Sequence, residues 1–185
     1  MPKHEMTWNL HDLVPKGGFD KLYAEIEADL AKYPAHYTAC DPGMVPERFA
    51  EVLRFNEAVL EKLNRLDGFA DLSTSADLRD QRAKLLKSRC DDLQVRYADA
   101  VLPLQHWIKG LAAEGKPRLD DAAAARLFAA VPGLRHVLDY WRQGARYALA
   151  QGEERIVSRK HITGAGALGD LYDQICDGFA YDLRP

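Results

Sequence analysis

The chain has 185 residues, of which 47% are hydrophobic and 29% charged, close to the averages of globular domains, so disordered, collagen-like and low-complexity classes are excluded. Lys and Arg number 25 against 28 Asp and Glu, a formal net charge of −3 that gives no electrostatic ground for expecting nucleic acid or an anionic membrane as partner. No apolar run approaches the about 18 residues a membrane helix needs, and a chain of this length buries a core without a metal or disulfide staple.

Helical periodicity dominates from the first core residues onward. Phe19, Leu22, Tyr23, Ile26, Leu30 and Tyr33 recur at steps of three and four and share one helix face, which Pro34 is expected to end. Glu25, Glu27, Asp29 and Lys32 fall on the polar side of that helix. A second helix opens at Val45-Pro46-Glu47, where the missing N–H of a first-turn proline costs nothing. Its stripe is Phe49, Val52, Leu53, Asn56, Leu60 and Leu63, running toward Gly68.

Ser73-Thr74-Ser75-Ala76-Asp77 reads as a break or cap before a third long helix. That helix carries Leu78, Leu85, Leu86, Leu93, Tyr97 and Val101, and Pro103 kinks or ends it. His106, Trp107, Ile108 and Leu111 form a short continuation. Asp120 and Asp121 are helix-start residues, acidic where the macrodipole favours negative charge, and the alanines 122–125 with Leu127 and Phe128 follow. After Pro132-Gly133, the residues Leu134, Val137, Leu138, Trp141 and Leu149 mark a helix up to Gln151-Gly152. A last helix is predicted over 165–179 with Leu168, Leu171, Tyr172, Ile175 and Phe179 inward. No alternating apolar run, internal repeat or Ser/Gly linker interrupts the pattern. The expected fold is all-α, a single helical domain over residues 1–185, with six to eight antiparallel helices, short connections and no significant sheet.

The chemistry-bearing motifs are each incomplete. Gly164-Ala165-Gly166-Ala167-Leu168-Gly169 matches the dinucleotide-binding glycine pattern, which requires a strand before it, a helix after it and an acidic residue about 20 positions on. Sixteen residues follow Gly169, too few for the helix and second strand, so a glycine-rich turn holding no nucleotide is expected. The residues three before His36, His106, His136 and His161 are Tyr33, Pro103, Gly133 and Ser158, none of them the Glu of a bundle di-iron site. His4-Glu5-Met6-Thr7-Trp8 has tryptophan where a zinc peptidase needs its second histidine. His36 and Cys40 lie four apart, in a loop framed by Pro34 and Pro42, and two ligands do not make a zinc site.

No Gly-x-Ser-x-Gly elbow occurs. Cys40, Cys90 and Cys176 are odd in number and far apart, as expected of reduced thiols in a cytoplasm, and residues 1–6 lack the apolar stretch of a signal peptide. Cys90 reads as a small residue packed beside the core, and Cys176, next to Ile175, has no sequence reason to be reactive. Arg79, Arg82, Lys84, Lys87 and Arg89 alternate with Asp77, Asp80, Asp91 and Asp92, a self-neutralising solvated face. Arg135, Arg142 and Arg146 share a stripe near Arg155, Arg159 and Lys160, which is solvated or else faces an acidic neighbour or a peptide carboxylate. No catalytic, cofactor-binding or metal-ligating residue is predicted.

Several stretches together resemble one family. Trp8-Asn9-Leu10-His11-Asp12-Leu13-Val14-Pro15 is similar to the opening Trp-Asp/Asn-Leu-Ser/Thr-Asp-Leu-aromatic-Pro signature of the oligoendopeptidase F family, zinc metallopeptidases related to thimet oligopeptidase. Leu134-Arg135-His136-Val137-Leu138, then Glu153-Glu154-Arg155-Ile156-Val157, resemble its Arg-His/Tyr-x-Leu helix and Glu-Glu-x-Ile-Leu start. Thr163-Gly164, Ala167 and Leu171-Tyr172-Asp173-Gln174 through Phe179-Ala180-Tyr181 resemble its Thr-Gly-x-x-Ala and Leu-Tyr-Asp segment. The departures are His11 for Ser or Thr and Val14 for an aromatic, at positions that concern the capping of a turn.

The resemblance runs from residue 8 to about 181 and implies the helical N-terminal lobe of such an enzyme. In the family the His-Glu-x-x-His zinc site and its third glutamate ligand lie in a later lobe. This chain is therefore expected to bind no zinc, to be inactive alone, and to form a wall of the channel that admits oligopeptides. Its expected partner is the catalytic lobe. The alternative is a free-standing helical protein, derived from such a lobe, that binds a partner or self-associates. If the lobe is severed, Phe179, Tyr181 or Leu183 should be exposed, or covered by a second copy in a homo-oligomer.

Overall fold

In a computed structural model that describes residues 9–112 and 116–179, the chain passes through α1 (Phe19–Leu30), α2 (Tyr33–Ala39), α3 (Pro46–Ala76), α4 (Gln81–Ile108), α5 (Asp121–Phe128), α6 (Arg135–Gly144), α7 (Gln151–His161) and α8 (Ala167–Asp177). A π-helical turn, Ile162–Gly166, joins α7 to α8. The described residues form helices joined by short connections, no strand occurs among them, and the fold is all-α. No described helix is long and apolar enough to cross a membrane.

The frame is the hairpin of α3 and α4, 31 and 28 residues long, about 46 and 42 Å at the helical rise. Contacts along it run in opposite directions on the two helices: Lys87 meets Asp67, Cys90 meets Leu66, Tyr97 meets Asn56, and Trp107 meets Phe49. Two apolar clusters share this hairpin. Near its turn, α1 packs Phe19, Ile26 and Leu30 on Val59, Leu63, Leu66 and Leu93, with Val14 sealing the side. At its open end, α5 and α6 bring Leu127, Phe128 and Leu138 onto Phe49, Val52, Leu104 and Trp107.

Several boundaries differ from the sequence expectation, each for a local reason. Pro34 does not end a helix but sits in the first turn of α2, where it needs no N–H, while α1 stops at Leu30. His36 therefore lies in a helix and Cys40 caps it, rather than both lying in a loop. α3 continues past Gly68 to Ala76: Ser73 and Thr74 donate their hydroxyls to the carbonyls of Phe69 and Ala70 at 2.7 and 2.9 Å, so the polar tract stays helical. The true break is Asp77 to Asp80, where Asp80 caps α4 by accepting from the Arg82 N–H at 2.8 Å. α4 runs through Pro103, which leaves only the Asp99 carbonyl without its helical donor.

Asp120 caps α5 as expected, accepting from the Ala123 N–H at 2.8 Å. The helix expected to reach residue 149 stops at Gly144, and Gln151-Gly152 begins a helix instead of ending one. There Ala150 and Leu149 donate their N–H groups to Glu153 and Glu154 at 3.0 and 3.2 Å. Asp29, read as part of a polar face, is buried between Lys32 and Lys62 at 2.6 and 2.8 Å. The largest departure is α8, whose Leu168, Leu171, Tyr172 and Ile175 do not point inward but are exposed.

Candidate functional site

The bundle spends its polar side chains on its own structure. Asn56, in the middle of an apolar stripe, accepts hydrogen bonds from the Tyr33 and Tyr97 hydroxyls at 2.8 and 3.2 Å. Burial pushes both phenols above their ordinary range. Burial also raises the Asp29 carboxyl, but hydrogen bonds from the Lys32 and Lys62 ammonium groups outweigh it and hold Asp29 below the usual carboxylate value. Arg142 reaches the carbonyls of Ile108 and Leu119 at 3.0 and 3.3 Å and pairs with Asp121. It passes close to Gly110, whose φ of 75° and lack of a Cβ make the turn after α4 possible.

The α7–α8 arm is built differently. No described side chain of α7 or α8 is buried, and Cys176 is the only described residue of α8 even partly covered. Charge fixes α7 on α4. His106, 3% exposed, donates from Nε2 to Glu154 Oε2 at 3.0 Å, and Lys109 Nζ stands 4.0 Å from the other oxygen. Asp99 receives Arg159 at 2.6 Å and Arg155 at 3.8 Å. Partial burial raises the Glu154 carboxyl, but the hydrogen bond from His106, the Lys109 charge and the Leu149 N–H together hold it below its ordinary value.

The outward side of the arm is apolar. Ile156 and Val157 on α7, and Leu168, Leu171, Tyr172 and Ile175 on α8, are more than half exposed, Leu168 to 68% and Ile175 to 52%. Phe179, just beyond α8, is 56% exposed, whereas Tyr181 and Leu183 lie outside the described residues. An 11-residue helix is marginal in water without tertiary cover, and an apolar face left open on one marks a surface made to be covered.

The motifs singled out in the sequence do not assemble into a reaction centre. Gly164 and Gly166 lie in the π-helical turn and Gly169 in α8, all inside helix and none after a strand. His4 and Glu5 lie outside the described residues. The His36 ring stacks on Phe55 with centroids 4.1 Å apart, and Cys40 donates its thiol to the His36 carbonyl, so the two turn away from any shared ligand. Burial pushes the Cys40 and Cys90 thiols up to about 11 and about 12, away from reactivity. Cys90 is buried beside the core, as expected.

In the basic clusters Arg79 and Arg82 are exposed as expected, while other members are engaged within the chain. Lys87 pairs with Asp67, Asp71 and Asp91, and Arg89 with Asp20 while lying over the Phe19 and Tyr23 rings. Arg135 pairs with Asp139 and Arg142 with Asp121, so these two residues of the stripe face acidic neighbours of the same chain, whereas Arg146 is exposed and lies over the Tyr147 ring. A cleft of about 400 Å³ lined by His11, Phe19, Phe69, Ser73, Arg82 and Leu86 pairs no nucleophile with a base. Among the described residues no three His, Cys, Asp or Glu side chains come together as a metal ion would require.

The His106–Glu154 pair escapes sequence reading because its members are 48 positions apart on helices with no shared periodicity. Arg155 and Arg159, one turn apart, were the readable half of the Asp99 contact. In comparisons with known proteins, no family model matches the chain, and no curated protein or solved structure matches it.

Proposed function

We propose that this chain is the non-catalytic helical N-terminal lobe of an oligoendopeptidase F-like metallopeptidase, serving to shape the channel through which oligopeptides reach a zinc-bearing lobe. The observation that carries the reading is the uncovered apolar face of α8, which gives the bundle a surface suited to packing against a second body. The sequence motifs point to the family, and their residues have structural duties consistent with a lobe. Asn9 caps the first turn, Val14 seals the core, and Glu153 and Glu154 start α7 and tie it to α4. The described residues do not fit a zinc ion, so no hydrolytic step is assigned to this chain.

The coding sequence beyond Pro185 tests the proposal. A His-Glu-x-x-His followed by a further glutamate ligand in the same frame is the expected result. A stop codon with no peptidase-coding gene after it overturns the reading in favour of a free-standing helical protein. The purified chain alone should show no chelator-sensitive cleavage of a fluorogenic peptide and no stoichiometric zinc by elemental analysis. One zinc per chain with chelator-sensitive turnover would refute the assignment as non-catalytic.

A further inference from the structure

The cleft of about 400 Å³ beside the α3–α4 turn has the size of a small-molecule site, with a floor and a rim of different character. Its apolar side chains converge from three places: Val14 and Phe19 around the start of α1, Phe69 on α3, and Ala83 and Leu86 on α4. Val14, Phe19 and Ala83 are buried, and Phe69 and Leu86 are partly open. The rim carries Lys16, Asp20, Asp80 and Arg82. Both acids are already engaged. Asp20 receives Arg89 at 2.7 Å, and Asp80 accepts the Arg82 backbone N–H at 2.8 Å as the cap of α4. The cations are not engaged: among the described residues no carboxylate pairs with the Lys16 ammonium or the Arg82 guanidinium, and both residues are exposed. The first turn of α1 lies on the same rim without a capping side chain, a smaller contribution of the same sign.

From this apolar floor and its two uncompensated cations, we propose that the cleft binds a small organic acid, one carboxylate carried on a single aromatic or branched apolar body. The floor removes the body from water, and Arg82 and Lys16 hold the carboxylate at the rim. The rim selects one negative charge and no more, because Asp20 and Asp80 stand beside the cations and repel a second, such as that of a phosphate monoester. An amine on the same body would meet unpaired positive charge. The walls are set before any ligand arrives. Gly17 turns the chain at a φ of 73°, Gly18 donates its N–H to the Pro15 carbonyl at 2.7 Å, and Arg65 grips the Leu13 carbonyl at 2.9 and 3.2 Å. Little ordering is therefore left to the binding step.

Titration of the full 185-residue chain with phenylbutyrate, followed by amide chemical shifts, tests the proposal. Saturable binding is expected with a Kd of about 0.1–1 mM, the range open to a ligand of about 12 heavy atoms, with the shifts concentrated at Phe69, Ala83 and Leu86. Phenylbutanol, the same body without the charge, should bind about five- to tenfold more weakly. Arg82→Gln and Lys16→Gln alter exposed side chains and should leave the fold unchanged. Each should weaken the acid about two- to fivefold and leave the alcohol where it was. Phe69→Leu should weaken acid and alcohol alike, with dichroism and melting checking that this variant is folded. N-acetylphenylalanine sets an amide beside its carboxylate, as a peptide end does, and should bind more weakly than phenylbutyrate. The reverse order would give the cleft to a peptide terminus and overturn the free acid. Equal affinity for acid and alcohol, shifts centred away from the cleft, or no saturation by about 10 mM overturns the proposal outright. None of these outcomes touches the peptidase reading, which rests on the coding sequence.

Discussion

The bundle and the arm are made from the same residue types with opposite allocation. Between α3 and α4 the apolar side chains meet each other and the ionised groups stay at the edge, so stability comes from area removed from water. In α7 the relation is inverted: Glu154, Arg155 and Arg159 face the protein and Ile156 and Val157 face away. A helix placed by ion pairs holds a position without gaining much cohesion, because partly exposed pairs contribute little. The arm is thus oriented by the bundle but not owned by it, which is what a docking element requires.

The contrast can be broken first by removing bulk from each region. Trp107→Ala should lower the unfolding free energy by about 3–5 kcal/mol, since a fully buried indole leaves a cavity. Leu168→Ala should leave the unfolding free energy of the bundle, read from urea melts, within about 0.5 kcal/mol of the wild type. Equal costs in the two substitutions would refute the contrast. Asn56→Leu comes next, at about 1–3 kcal/mol by the same measurement, because it strands the buried Tyr33 hydroxyl and the partly buried Tyr97 hydroxyl.

His106→Ala acts on the arm alone. Hydrogen exchange should speed up across α7 by roughly five- to tenfold, about 1–1.4 kcal/mol, while amides of α3 facing Leu63 and Leu66 keep their protection. Uniform loss of protection would show that the arm and bundle unfold as one. Acid sharpens the same distinction. Glu154 is held below its ordinary value in the fold, so its anchoring contribution is complete above the unfolded carboxylate range of about 4.3 and fades as pH falls through the lower, folded value. Exchange within α7 should rise over that acid window in the wild type, and Glu154→Gln should abolish the pH dependence there. The smallest effect is expected from salt. Raising it from about 0.1 to about 1 M shortens the screening length from about 10 to about 3 Å, and α7 exchange should rise a few-fold while the bundle core does not respond.

How much of this was legible beforehand depended on the range of the interactions. The stripes of α1 and α3, and Leu93 and Val101 of α4, were readable because burial imposes its period locally, and Asp120 because a cap speaks to residues next to it, whereas Leu78 lies before α4 and Leu85 is exposed on it. Pro34 and Pro103 misled because a proline's effect turns on whether its missing N–H had a duty, which the first turn of α2 and the length of α4 decide. Leu168, Leu171, Tyr172 and Ile175 have the same spacing as a core stripe, and the sequence carries no sign that the complementary surface is missing from the bundle. Asp29 and the His106–Glu154 pair were invisible for the opposite reason, since each is settled by a partner from a distant helix.

The π-helical turn between α7 and α8 acts as a dial. A π turn holds one residue more than an α turn, and one residue is about 100° of helical rotation. Where the face of α8 looks, relative to the anchored α7, is therefore set by a single residue of chain length. Losing one residue between Ile162 and Gly166 would leave both helices and every anchor of α7 in place, yet swing Leu168 and Ile175 by roughly a quarter turn. A lineage could re-aim this arm toward a different neighbour by one short deletion, with no change to the core that carries it.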